Sequence, residues 1–182
     1  MNSELKRRKY KLNAKEACIF GMLGALMYAS KVIMEIVPNV HLIGTFIVAL
    51  TVVYRSKALY PLYIFIFLTG LLNGFAMWWV PYLYIWAVLW GAVMLLPKNI
   101  PSKIQAIVYA VVCSLHGFLY GTLYAPAQAI MFHLNFKSTI AWIVAGLPWD
   151  AIHGVSNLIC GLILIVPFIK IFQFAEKAVR KT

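Results

Sequence analysis

The chain has 182 residues, 63% of them hydrophobic and only 12% charged, with a mean hydropathy of +0.85. A soluble domain carries about 25% charged residues, so the composition excludes a water-soluble globular fold, and the length leaves room for one membrane domain only. The net charge of +11 does not point to nucleic acid, because the basic residues follow the gaps between apolar runs instead of forming one patch.

Residues 1–16 are basic, with "KRRKYKLNAK" ahead of the first apolar run. Six apolar stretches follow: Ala17–Val37, Val40–Tyr54, Leu59–Val80, Tyr82–Leu96, Ile104–Phe132 and Thr139–Phe172, with a basic tail over 173–182. A spanning helix needs about 20 residues, with a range of about 17–25. Four of the stretches meet that length; the second and fourth have 15 residues each and are the shortest. Pro126 and Pro148 fall inside the last two stretches, and each predicts a kink or a break, since proline lacks a backbone donor and crowds the preceding turn.

If all six stretches cross, 14 of the 16 Lys and Arg lie on one side, Lys137 lies on the other and Lys31 lies within a span. Cytoplasmic loops hold the excess of Lys and Arg. The pattern therefore predicts an all-α integral membrane protein, a bundle of six transmembrane helices with both termini cytoplasmic. The basic start resembles a signal peptide, but "ALMYAS" is a poor cleavage site and removal would spoil the charge pattern, so the segment is expected to stay. Cys18, Cys113 and Cys160 sit at no metal-like spacing and imply no disulfide framework. No metal and no cofactor are expected. The chain has no GK[ST] phosphate loop, HExxH, CxxC or GxSxG, so it is read as a non-enzyme with no ATP site of its own.

On the first helix Ala17, Gly21, Ala25 and Ala29 recur every fourth residue, with Gly24 beside them. They form one smooth ridge, suited either to packing inside the bundle or to docking another membrane protein. Lys31 and Glu35 are one turn apart, with Asn39 and His41 just beyond; an ion pair at the interface and a ligand contact are both open. The third and fourth stretches supply "NGFAMWWVPYLYIW". Here Asn73, Trp79, Tyr82 and Trp86, with Trp78 and Tyr84, serve either an interfacial aromatic belt or a lining for a ring-containing ligand.

The fifth helix carries Tyr109, Cys113, His116, Tyr120 and Tyr124 on one narrow face, with Gln128 beyond. On the last helix Trp149, Asp150, His153 and Asn157 fall within an arc of about 100°. Polar groups in a membrane usually face the bundle interior or a cavity, so these two faces are expected to oppose each other around a water-filled, outward-opening ligand pocket. Three other readings stay open. Asp150 and His153 could bond each other and cap helix breaks near Pro148. Asp150, His153 and His116 could be the acid and base groups of a small intramembrane enzyme. The chain could also be a structural subunit that uses only the ridge.

The size, the six stretches, both ends inside and Ala25-Leu-Met-Tyr-Ala29 in helix one, together with "YRSKALYP" and "HGVSNLICGL", make the chain resemble the substrate-binding (S) components of energy-coupling factor (ECF) transporters. The resemblance covers essentially the whole chain. It implies a bacterial plasma-membrane protein that captures a vitamin-like ligand from outside. It also implies partners: a transmembrane scaffold subunit that contacts helix one, and two cytoplasmic ATPases. Nickel and cobalt members carry a His directly after the first Met; Asn2 stands there in this chain, which argues against a metal cargo. The identity and charge of the ligand stay open.

Cysteines placed at Lys57, Lys103 and Thr182 should be shielded from an impermeant thiol reagent in intact cells, and one at Lys137 should react. Labelling at position 103 from outside would remove the fourth stretch as a span.

Overall fold

The structure, a computed structural model, describes residues 12–37 and 39–180. It is helical, without a strand among the described residues. In chain order the helices are α1 (Ala14–Met34), α2 (Ile43–Tyr54), α3 (Leu59–Asn73), α4 (Tyr82–Leu95), α5 (Ser102–Phe118), α6 (Tyr120–Met131) and α7 (Phe136–Arg180), with short 3-10 turns at Arg55–Ala58 and Met77–Trp79. Five helical segments among the described residues are long and apolar enough to cross a membrane. The basic residues before position 12, Asn2, and Lys181 lie outside the described residues.

α1 starts at a reciprocal cap, in which the Asn13 side chain accepts from Glu16 N–H and the Glu16 carboxylate accepts from Asn13 N–H. That cap satisfies two donors of the first turn. The Glu16 carboxylate also holds the Lys57 ammonium at 2.6 Å, which ties the start of α1 to the Arg55–Ala58 turn. Further along, Gly24 packs against Pro61 and Ile64 of α3, and the Tyr28 hydroxyl donates to Asn73 at 3.0 Å. α1 and α3 therefore run side by side in the same direction.

One apolar segment, the 31-residue run Ile43–Asn73, is not a single rod. Arg55 has φ +53° and ψ −121°, a backbone turn that no helix contains. His41 and Phe65 both touch Trp86, at ring-centroid distances of 5.7 and 6.5 Å. On one straight helix such residues would be about 36 Å apart. The chain folds back at Arg55, and the turn is anchored from α4: the Arg55 guanidinium donates to Met94 O and the Trp90 indole donates to Arg55 O. α2 is enclosed, with Ile43 to Thr51 all buried, between α4, α5, α7 and α1.

α5 and α6 run antiparallel to α7 in close register. Ala110 meets Gly161, Gly117 meets Gly154 and Gly121 meets Asp150.

The third stretch stops at Asn73, short of the expected Val80. Gly74 at φ +92° ends the helix in a conformation that only glycine takes without strain. The second begins at Ile43, and the last extends over Phe136–Arg180. Neither Pro126 nor Pro148 breaks its helix. Neighbouring groups commonly compensate for proline in membrane helices. Beside Pro126 the Tyr84 hydroxyl donates to Leu123 O at 2.7 Å. The break in the fifth stretch falls at Leu119 instead. The Asp150 carboxylate takes Gly121 N–H, which an unbroken helix would aim four residues back, and an inserted side chain is a recognised cause of a kink.

Two glycines one turn of sequence apart should respond oppositely to alanine. A Cβ on Gly24 would lie 2.5 Å from Ile64 Cγ2, whereas one on Gly21 meets nothing within 4 Å. Gly24→Ala should cost about 1–3 kcal/mol by overpacking and lower the detergent melting temperature. Gly21→Ala should leave it unchanged or raise it, because alanine favours a helix by about 1 kcal/mol.

Candidate ligand site

The polar residues gather at the end of the bundle where the α1–α2 connection meets α4, α5 and α7. Trp86, buried on α4, is the hub. Its ring contacts His41 at 5.7 Å, His116 at 5.6 Å, Tyr120 at 5.6 Å and Tyr82 at 5.8 Å. His153 on α7 closes the cluster against His41 at 4.6 Å and Tyr120 at 4.8 Å. His153 and Asn157 share a face of α7 because they are four residues apart, and Asn157 lies one turn deeper, against the first turn of α2 at Gly44.

Hydrogen bonding in the cluster is incomplete. His116 Nε2 lies 3.0 Å from Ile85 O. A carbonyl only accepts, so Nε2 carries the proton, and in the neutral ring Nδ1 is then an acceptor. His116 Nδ1 has no partner. Asn157 is 0% exposed; its amide donates to Cys113 O at 3.3 Å, but Oδ1 is unmatched. His41 Nδ1, Thr45 Oγ1, Trp86 Nε1 and His153 Nε2 are likewise buried without a partner. Such groups are normally paired, because an unmade bond at a buried polar atom costs about 1–3 kcal/mol.

Asp150 is in a different situation. Both of its carboxylate oxygens accept from Gly121 N–H, at 3.0 and 3.1 Å, at the first turn of α6, where the helix dipole favours negative charge. The carboxylate is thus engaged by the backbone of α6. The cap expected near Pro148 is made here instead, 29 residues away in sequence.

The remaining expected site residues divide. His116, Tyr120, His153, Trp86 and Tyr82 are brought together, with Asn157 beneath them. Tyr124 stands farther along α6, donating to Trp78 O and stacking on Trp142 at 5.7 Å. Gln128 is two turns beyond Tyr120, half-buried. Trp149 is 55% exposed on the outer surface of α7, away from the cluster. Trp79 donates to Ile66 O and packs on Phe75, so its polar atom serves the α3–α4 connection. Asn73 is exposed and accepts from Tyr28. The cluster rings pack against one another, with Trp86, His116 and His153 buried and His41, Tyr82 and Tyr120 half-buried at the edge of the cluster. A depression of about 420 Å³ lies elsewhere, lined by Ser56, Lys57, Leu59, Tyr60 and Tyr63.

His41, just beyond the Lys31–Glu35 pair in the sequence, joins the site through its ring contacts with Trp86 and His153. His41 sits in the connection before α2, which is pinned by the Ser156 hydroxyl donating to Asn39 O at 3.2 Å. Lys31 and Glu35 form an ion pair at the end of α1. The ridge residues Ala17, Ala25 and Ala29 are exposed and Gly21 is half-buried, while Phe20, Gly24 and Met27 face the bundle. The ridge is therefore not used for packing within the chain. No group of three His, Cys, Asp or Glu among the described residues is placed to hold a metal ion, and the three cysteines are free.

No protein-family model, curated protein or solved structure matches the chain.

Asp150→Ala and Gly121→Ala should each lower the detergent melting temperature, by about 1–3 kcal/mol of stability. A Cβ on Gly121 would lie 2.5 Å from Asp150 Oδ2, so both changes break the same contact. The double variant should cost clearly less than the sum of the two. Additive losses in a thermal-shift series would show that the carboxylate has a second partner.

Proposed function

We propose that the chain is the substrate-binding subunit of an ECF-type importer, a multi-pass protein of the bacterial plasma membrane that captures a vitamin-like ligand from outside. The observation that carries this reading is the buried cluster around Trp86. Unpartnered polar atoms on His41, Trp86, His116 and His153, set among aromatic rings, with Asn157 Oδ1 beneath them, are costly in a lipid-embedded bundle, and a ligand that supplies their hydrogen bonds accounts for them. In this reading the fold-back at Arg55 makes two crossings of the run Ile43–Asn73. The six passes place both termini and the basic turns on the cytoplasmic side, and the His41 end faces outward.

The partners in this reading are a transmembrane scaffold and two cytoplasmic ATPases. Two features support them. The sequence has no ATP-binding motif of its own, and the Ala17–Gly21–Ala25–Ala29 ridge points away from the bundle. In lipid, helices associate through close van der Waals contact, and an exposed strip without bulk offers that contact to another helix.

Ala25→Leu and Ala29→Leu should insert, fold and melt like the parent, because both side chains are exposed. Isolated from host membranes through a tag, the parent should carry ATPase subunits with it and the leucine variants should lose most of them. Equal recovery of ATPase from parent and variants would sink the assignment of the ridge to a scaffold.

A further inference from the structure

We infer that the cluster around Trp86 takes an uncharged, planar heterocycle with a hydrogen-bond donor and an acceptor on its edge, rather than an anionic or cationic ligand. The inference rests on the reading of the cluster as a ligand site and specifies what that site selects.

The selection for planarity comes from the walls. Trp86, Tyr120, Tyr82 and three imidazoles form the box, and each presents a flat face or an edge. Aromatic rings pair with other rings in stacked or edge-on contact. His41, Tyr82 and Tyr120 are half-buried at the edge of the box, and His41 is the one carried by a connection rather than a helix.

The need for both a donor and an acceptor follows from the inventory of unmatched atoms. The Trp86 indole N–H, buried without a partner, can only donate, so it calls for an acceptor such as a ring carbonyl. His116 Nδ1, fixed as an acceptor by the Ile85 contact, and Asn157 Oδ1 call for N–H or O–H donors. A carboxylate ligand supplies no donor, and an ammonium supplies no acceptor.

An anion is disfavoured because Lys31 is neutralised by Glu35, and a cation because the Asp150 oxygens are turned to Gly121 N–H. The imidazoles carry no permanent charge, since the ordinary histidine pKa is about 6.5. A buried ion without a counter-ion pays its full desolvation cost.

The test uses the full-length protein in detergent, incubated with an equimolar mixture of matched probes: nicotinamide and uracil (uncharged), nicotinate and orotate (anionic) and 1-methylnicotinamide (cationic). Retained probes are quantified by mass spectrometry after rapid desalting. At least one uncharged probe should be retained tenfold or more above the charged members. Trp86→Phe keeps an aromatic face but removes the donor and leaves a small cavity, so in the protein that stays folded and monodisperse it should reduce retention about tenfold. His116→Phe removes the acceptor together with the bond to Ile85 O, and should likewise reduce retention about tenfold in the folded fraction. Preferential retention of a charged probe, lost in both variants, would overturn the charge assignment while leaving the cluster as a ligand site. Retention of none, or retention indifferent to both variants, would overturn the ligand site itself.

Discussion

The close approach of α5 and α6 to α7 is the contact on which the rest of the architecture depends. Water drives apolar surfaces together in soluble proteins, but lipid offers no such drive, so helices must gain from dispersion contacts at short range. Glycine makes that range possible here. A Cβ on Gly117 would sit 2.9 Å from Gly154 Cα, and one on Gly161 would sit 2.9 Å from Ala110 Cα. The Ser114 hydroxyl then bridges to Gly154 O at 2.9 Å. With the backbones this close, His116 and His153 are delivered to the same box and Asn157 reaches Cys113 O. A bulky residue at Gly117 or Gly154 would separate the two helices and take the site apart without touching one of its polar groups.

The second determinant is the enclosure of α2. Its first nine residues are buried on every side, which is unusual for a helix of only 12 residues. The wrapping is held at the far end by α4, through Arg55 and Trp90, and by the Tyr54 hydroxyl, which donates to Phe172 O at 3.2 Å. The opposite end of α2 is left as the floor of the aromatic box, where Gly44 admits Asn157. One short helix thus connects the basic turn at Arg55 to the polar cluster, and both depend on its placement.

Helical character and most segment positions were legible in the sequence because apolar length alone reports them. The facing of His116, Tyr120, His153 and Asn157 was also legible, since each set recurs at helical spacing and the two helices are consecutive. What escaped was long-range or atomic. Asp150 stands on the same arc as His153, but its rotamer turns it to Gly121, and no periodicity distinguishes a cap from a ligand group. His41 is isolated in a connection, so only the fold brings it to Trp86. Trp149 fell outside because the arc on α7 is wider than the interface it packs against. The side of α1 that bears the ridge could be settled only by seeing Gly24 against Ile64. Pro126 and Pro148 end neither helix, since proline is tolerated in membrane helices whose neighbours satisfy the freed backbone.

The lengths of the helices have a consequence for the surrounding lipid. α3 and α4, with 15 and 14 residues, rise only about 22 Å as helices, while hydrocarbon is about 30 Å thick. α7 has 45 residues, about 67 Å of helix, but its exposed apolar flank from Ile152 to Ile171 covers about 29 Å, close to that thickness. Only α3 and α4 fall short of it. Hydrophobic mismatch of this kind costs fractions of a kcal/mol per ångström and is relieved by tilting or by local thinning. The lipid beside α3 and α4 is therefore where thinning is expected, while α7 spans its share without it.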